Sequence, residues 1–408
     1  MSASNPLASP DVFSEKLYEK MKQINPGIED LELYEFRYAL GHLSPKHDDW
    51  VSIVLADKEE IDQRLSQIDF YHSIKLKPCV DGRIVLDETI ISLTNMLFVG
   101  LVTGKYPVEW INQRFYFDIR GFHFFIRTLY FTDKILTHLG GRPFKCFEQK
   151  QKQLERHQSL GYKEFRKANA EVDQYFMTSV KQIIAVKGTP MIMAIAGPTA
   201  AGKTEIVERL RCSFKQEGQD VTSIEMDHFF TDRDYREAKG IHSLGKAAIH
   251  FELFKQCLED ISQGKKICTP RYDFVYATSS HDLDGRLKPG CAPIEIEPAD
   301  IIFIEGNFPF LLPEVIHLIG LKVVYLTDDP IRLKRKWKRD VDYRKKYDPN
   351  YLRNRFFRNQ FLMAEKCYLP QMEVCDLVVD TTGAALWATP EMAAILQGRY
   401  ETAAHPHR

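Results

Sequence analysis

Eight consecutive residues carry the most chemistry in the chain: Gly197-Pro198-Thr199-Ala200-Ala201-Gly202-Lys203-Thr204 has the spacing G-x-x-x-x-G-K-T. Glycines at both ends let successive backbone N–H groups turn towards one anion. The lysine adds a charge long enough to reach the outer phosphates of a nucleotide, and the threonine hydroxyl is a hard oxygen ligand suited to Mg²⁺. The motif follows the apolar run Met191–Ala196 and opens a helical pattern from Thr204 to Phe214, so a helix dipole also points its positive end at the anion. All eight residues are therefore expected to contact the phosphates of ATP, with Thr204 on Mg²⁺. The loop alone does not say what becomes of the phosphate.

The elements that would hold this loop follow from pattern. Met191–Ala196, Ile301–Ile304, Val323–Leu326 and the shorter Leu377–Val379 are continuous apolar runs, as expected of strands buried on both faces of a parallel sheet. Helical patterns separate them at Thr204–Phe214, Phe251–Ser262 and Pro330–Val341. Strands alternating with helices predict an α/β domain over 187–385 with right-handed crossovers. Residues 1–186 read as a mostly helical domain. It ends in a long helix from Tyr162, broken at Val186-Lys187-Gly188-Thr189-Pro190, and 386–408 reads as a short helix with a frayed tail.

Composition narrows the partners. Lys plus Arg (55) balances Asp plus Glu (56), which gives no global field for nucleic acid or a membrane surface. The eight cysteines show no metal or disulfide spacing and suit a reducing compartment. The opening residues lack the basic and apolar regions of a signal peptide, and the most apolar run, Ile90–Val102, is too short to span a bilayer. A cytoplasmic, membrane-free protein is expected. The aromatic stretch from Trp110 to Phe131 reads as packed core.

Beyond the loop, four segments in order resemble the uridine kinase and phosphoribulokinase family over roughly 190–382. Glu225-Met226-Asp227-His228-Phe229-Phe230 is similar to the family's Asp-x-Phe-Tyr segment. Pro270-Arg271-Tyr272-Asp273-Phe274 resembles its Pro-x-Tyr-Asp-Phe, Ile301–Gly306 its strand ending in Glu-Gly, and Arg332–Asp340 its lid helix. The resemblance implies a kinase that moves the γ-phosphoryl of ATP to a hydroxyl of a nucleoside, sugar or sugar phosphate. It makes Asp227 the proton acceptor, places Phe230 and Tyr272 at the acceptor pocket, and sets Glu305 to order the water shell of Mg²⁺. Arg335 and Arg339, four apart on one helix face, would close over the phosphates beside Lys203.

The match also departs from the family. The Asp that binds ribose hydroxyls in nucleoside kinases has no counterpart in His242–Ala248, and the family's base-contacting His falls on Ala277, with His281 four residues on. A sugar phosphate held by Lys246, Arg271 and Arg286 is one alternative. A nucleotide-binding regulator with a kinase-like domain is another. The loop's Gly-Pro-Thr-Ala also resembles tRNA dimethylallyltransferases, whose following Asp-Ser-x-Gln-Val-Tyr segment is missing. Residues 1–186 resemble no family. They could supply a dimer interface, a regulatory site or part of the acceptor pocket, and a homo-oligomer is compatible with any of these.

Overall fold

The computed structural model describes residues 6–43, 49–66, 88–119, 122–148, 169–241, 245–328, 331–332, 335–336, 339 and 363–399. They fall into two units divided between Leu129 and Tyr130. The first unit carries α1 (Pro10–Ile24), α2 (Leu33–Leu43), α3 (Lys58–Ser66), α4 (Glu88–Thr103) and α5 (Val108–Arg114), then the hairpin β1 (Phe115–Asp118) and β2 (His123–Ile126). Ser9 starts α1 by accepting a hydrogen bond from the Val12 N–H. Phe98, Phe115 and Phe124 are fully buried and meet edge to face, so the aromatic stretch is core. Gly100 of α4 is required by packing, because a Cβ there would lie 1.8 Å from the Tyr106 ring.

The second unit contains α6 (Asp133–His138), β3 (Lys145–Cys146), α7 (Ala170–Lys187), β4 (Met191–Ala196), α8 (Lys203–Gln216), β5 (Val221–Glu225), α9 (Arg233–Ala238) and α10 (Phe251–Ser262). Two small antiparallel pairs follow, β6 (Ile267–Thr269) with β9 (Ile294–Ile296), and β7 (Tyr272–Asp273) with β8 (Thr278–Ser279). The chain continues through β10 (Ile301–Gly306), α11 (Pro313–Ile316), β11 (Leu321–Leu326), α12 (Leu369–Met372), β12 (Leu377–Asp380), β13 (Ala385–Ala388) and α13 (Pro390–Leu396). The main sheet has the order β3-β13-β12-β11-β4-β10-β5. Its five strands from β12 to β5 are parallel, and β13 and β3 extend it antiparallel.

Period-two alternation along these buried strands feeds two cores. Ile192, Ala194, Ile302, Ile304 and Val324 pack with α10 on one face. Met191, Met193, Ile195, Phe303 and Tyr325 pack with α7, α8 and α13 on the other. The chain leaves β4 for β5 in one direction and reaches β11 in the other, with β10 between β4 and β5. The strand order therefore reverses at β4 and β10, where such sheets open a crevice beyond their carboxyl ends.

Two expectations shift. The second unit begins at Tyr130 instead of 187, because α7 covers one core face and β3 pairs with β13. The stretch read as tail starts with β13, which pairs with β12 through Trp387 and Leu386 before α13 begins, while 400–408 lie outside the described residues. A four-residue strand beside alanines has too little periodicity to be seen locally. The helix expected over Pro330–Val341 lies mostly outside the described residues, although Ile331, Arg332, Arg335 and Lys336 are helical. No helix of the described residues is long and apolar enough to cross a membrane.

Asp173 of α7 is buried and accepts from the Tyr325 hydroxyl at 2.6 Å and the Arg209 guanidinium at 2.5 Å, tying α7 to β11 and α8. Asp173→Ala strands a buried phenol and a partly buried cation. We expect it to lower unfolding free energy by about 2–4 kcal/mol in urea titration, under the full buried-pair cost because Arg209 keeps some water contact.

Candidate active site

Gly197-Pro198-Thr199-Ala200-Ala201-Gly202-Lys203-Thr204 turns from β4 into α8 at the centre of the carboxyl edge. Gly197 sits at φ 151° and Gly202 at φ 111°, both in the region that disfavours side chains. A Cβ on Gly197 would lie 2.2 Å from the Tyr325 carbonyl oxygen. Thr327, past the end of β11, donates to the Ala201 carbonyl at 2.9 Å, and its hydroxyl shares a hydrogen bond with Thr381. The loop is thus pinned from the neighbouring strand.

Lys203 is buried, and its Nζ donates to the carbonyls of Gly197 (2.9 Å) and Pro198 (3.1 Å). Burial lowers its pKa, while the carboxylates of Glu305 and Asp227 raise it. Thr204 donates its hydroxyl to Glu305 Oε1 at 2.5 Å. Glu305, at the carboxyl end of β10, is held by burial at a pKa of about 7, with Lys203 and the Thr204 hydroxyl pulling it down. A hydroxyl and a carboxylate this close are oxygen donors suited to a hard cation, so Thr204 fits as the Mg²⁺ ligand and Glu305 as the group beside its water shell.

Register explains how Asp227 arrives. Parallel pairing sets Glu305 level with Glu225, and the 3₁₀ turn Met226–Phe229 then carries Asp227 over the strand ends. Gly306 makes this approach possible, because a Cβ there would lie 2.6 Å from Met226 Cβ. Asn307 donates to Asp227 Oδ1 at 3.4 Å. It accepts from the Tyr368 hydroxyl through its side chain, also at 3.4 Å, and from Gln371 Nε2 through its carbonyl at 2.9 Å. The Thr199 N–H bonds the same Tyr368 hydroxyl, so the phosphate loop and Asp227 share one hydrogen-bonded network.

The arginines also reach the loop. Arg335 donates to the Ala200 carbonyl at 3.4 Å, and Arg339 to the Thr199 hydroxyl at 3.2 Å. Arg332, not singled out by spacing, is fully buried and acts electrostatically on Lys203 together with Arg339.

The β7–β8 hairpin docks against the Asp227 turn. The Tyr272 N–H donates to His228 Nδ1 at 3.1 Å, and Phe230 meets the Tyr272 ring edge to face. Arg271 is exposed beside Tyr272. Two expected substrate cations part company: Lys246 pairs with Glu314 at 2.7 Å, whereas Arg286 is exposed in the turn that follows β8. Ala277 holds a left-handed turn at φ 61°, and buried His281 bonds Ser280 through Nδ1 at 2.9 Å. Sequence reasoning missed Asn307, Tyr368, Gln371 and Arg236. Only Asn307, two residues after Glu305, carried a positional signal.

Residues 192–387 match the model of the Phosphoribulokinase / Uridine kinase family. Over these residues the chain resembles that family. Uridine kinase of Brevibacillus brevis is 29% identical over 160 residues, 38% of this chain and 69% of that protein. Uridine kinase-like protein 4 of Arabidopsis thaliana is 28% identical over 159 residues, and the matched segment spans only 31% of its length. A possible uridine kinase from Bacillus stearothermophilus aligns over 52% of this chain and 98% of that one, with 17% identity and a TM-score of 0.38. The match leaves residues 1–191 and 388–408 outside it.

Two outcomes test this geometry. Gly197→Ala should weaken ATP binding by roughly 100-fold or more in calorimetry, because the loop must leave the Tyr325 carbonyl. The second concerns His250, buried with Nε2 3.0 Å from Ser279 Oγ, whose pKa burial and the nearby His281 lower to about 4. As pH falls through about 6.5 the unfolded chain takes a proton that folded His250 refuses until about 4, so stability drops across that window. In urea titrations His250→Gln should make the drop shallower without removing it, since burial shifts His228 and His281 the same way.

Proposed function

We propose that the second unit is a kinase that transfers the γ-phosphoryl of ATP to a hydroxyl of a small molecule. The observation that carries this reading is the convergence of Lys203, Thr204, Glu305 and Asp227 at the carboxyl ends of β4, β5 and β10. In it, the backbone of Gly197–Thr204 cradles the phosphates, and Lys203 leaves its two carbonyls to neutralise charge on the β- and γ-oxygens. Mg²⁺, held by Thr204 with Glu305 ordering its waters, would supply further charge neutralisation at those oxygens.

Asp227 accepts the proton of the acceptor hydroxyl, with Asn307 fixing one carboxylate oxygen so that the other faces the substrate. Phe230 and Tyr272 wall the acceptor. Arg335 and Arg339 release their loop contacts to meet the transferring group and neutralise its charge. The family resemblance of residues 192–387 supports the same roles.

The test compares wild type with Asp227→Asn in ADP release, with ATP and Mg²⁺, against nucleosides, sugars, sugar phosphates and hydroxy acids. Turnover should fall by roughly 10²–10⁴-fold while the calorimetric ATP affinity stays within about twofold. Equal loss of both would remove Asp227 from the proton transfer, and ATP binding without turnover on any acceptor would favour a nucleotide-dependent regulator.

A further inference from the structure

Arg236, on α9, is laid across the aromatic wall of the acceptor side. Its guanidinium carbon lies 5.2 Å from the Phe230 ring centroid and 5.7 Å from that of Tyr272. It donates to the Thr231 carbonyl and, at 3.1 Å, to the Tyr272 hydroxyl. Phe230 lies three residues beyond Asp227, and Tyr272 is tied to His228 through its N–H, so this cation stands on the two segments that frame the proton acceptor. Arg271, next along the hairpin, lies near enough to His228 to act on its charge.

Among the described residues, neither Arg236 nor Arg271 makes an ion pair. The carboxylates around them are engaged elsewhere: Asp232 binds Lys288 at 2.8 Å and the Ser279 N–H, and Glu225 faces His228. A half-buried guanidinium beside two rings keeps only part of its solvation, and the rings return only part of the loss. Its planar fork is pre-organised for a carboxylate or phosphate. The stretch from Ile241 to His250 contains no carboxylate to hold the hydroxyl pair of an uncharged sugar.

We infer that the acceptor is an anionic alcohol whose carboxylate or phosphate is gripped by Arg236, held beside the Phe230 and Tyr272 rings, with Arg271 as a second cation. This rests on the kinase reading above and adds the charge of its substrate. A neutral acceptor would leave two cations beside the reacting hydroxyl uncompensated. An anion there sets its own hydroxyl towards Asp227, one substrate group held by charge and the other presented for transfer.

The experiment uses the full chain with ATP and Mg²⁺ and reads ADP release on matched pairs: glycerate against glycerol, ribose 5-phosphate against ribose, and uridine 5′-monophosphate against uridine. We expect the charged member of at least one pair to have a kcat/KM at least about tenfold above its neutral parent, and the active pair separates a carboxylate from a phosphate as the gripped group. Arg236→Met, which keeps the stack and removes the charge, should raise KM for the charged acceptor about 10- to 100-fold with kcat and ATP affinity little changed. Arg236→Lys should fall between them, and exposed Arg271→Gln, which spares the fold, should raise the same KM by a smaller factor.

Preferred turnover of a neutral member, or equal loss on both members in Arg236→Met and Arg271→Gln, overturns the inference while the kinase reading stands. Failure of all six acceptors with ATP still bound overturns both.

Discussion

A lysine and a glutamate buried side by side set the terms for the rest of the second unit. Lys203 and Glu305 are each more than nine-tenths removed from solvent, and each shifts the other's ionisation. Such a pair is tolerated only where further polar groups complete it. Here the Gly197 and Pro198 carbonyls take the ammonium and the Thr204 hydroxyl takes the carboxylate. Glu305 stands at the end of β10 and Lys203 opens α8 at the end of the loop from the adjacent parallel strand β4, so strand pairing and loop together set their separation. The network past β10, through Asn307 to Tyr368 and Gln371, extends that satisfaction to Asp227. Polar groups are thus held here as a connected set of buried and half-buried partners before any ligand arrives.

Much of this was legible in the sequence for a physical reason. A strand buried on both faces is a continuous apolar run, and β4 begins and ends where its run does, from Met191 to Ala196. The loop behind it is read from glycine spacing, and Gly197 and Gly202 prove to hold the positive φ values that such a turn needs. Asp227, Glu305, Arg335 and Arg339 were nominated by resemblance, and their placement around the loop depends on pairing that no local pattern encodes.

What escaped was long-range. Gln371 reaches Asn307 across 64 residues of chain, and Asp173 reaches Tyr325 across 152, so neither pairing leaves a local periodicity. Lys246 looked free in the sequence and is neutralised by Glu314, because a surface cation's partner is chosen by fold. Arg236 was hidden for the opposite reason. Its surroundings are aromatic rings contributed by two separate segments, and a stack of that kind has no spacing to read.

The outer part of the main sheet joins distant stretches of chain. β3 comes from residues 145–146 and β13 from 385–388, and between them they finish the side of the sheet away from the phosphate loop. A fragment cut at residue 187 would therefore lose more than a linker. It would uncover a strand edge at β13 whose N–H and C=O groups can template pairing with another copy. It would also strip the Phe176 face of α7 from a core that includes Tyr325. Solubility of the second unit is in this sense written upstream of its phosphate loop, and a cut that keeps it should fall before Tyr130.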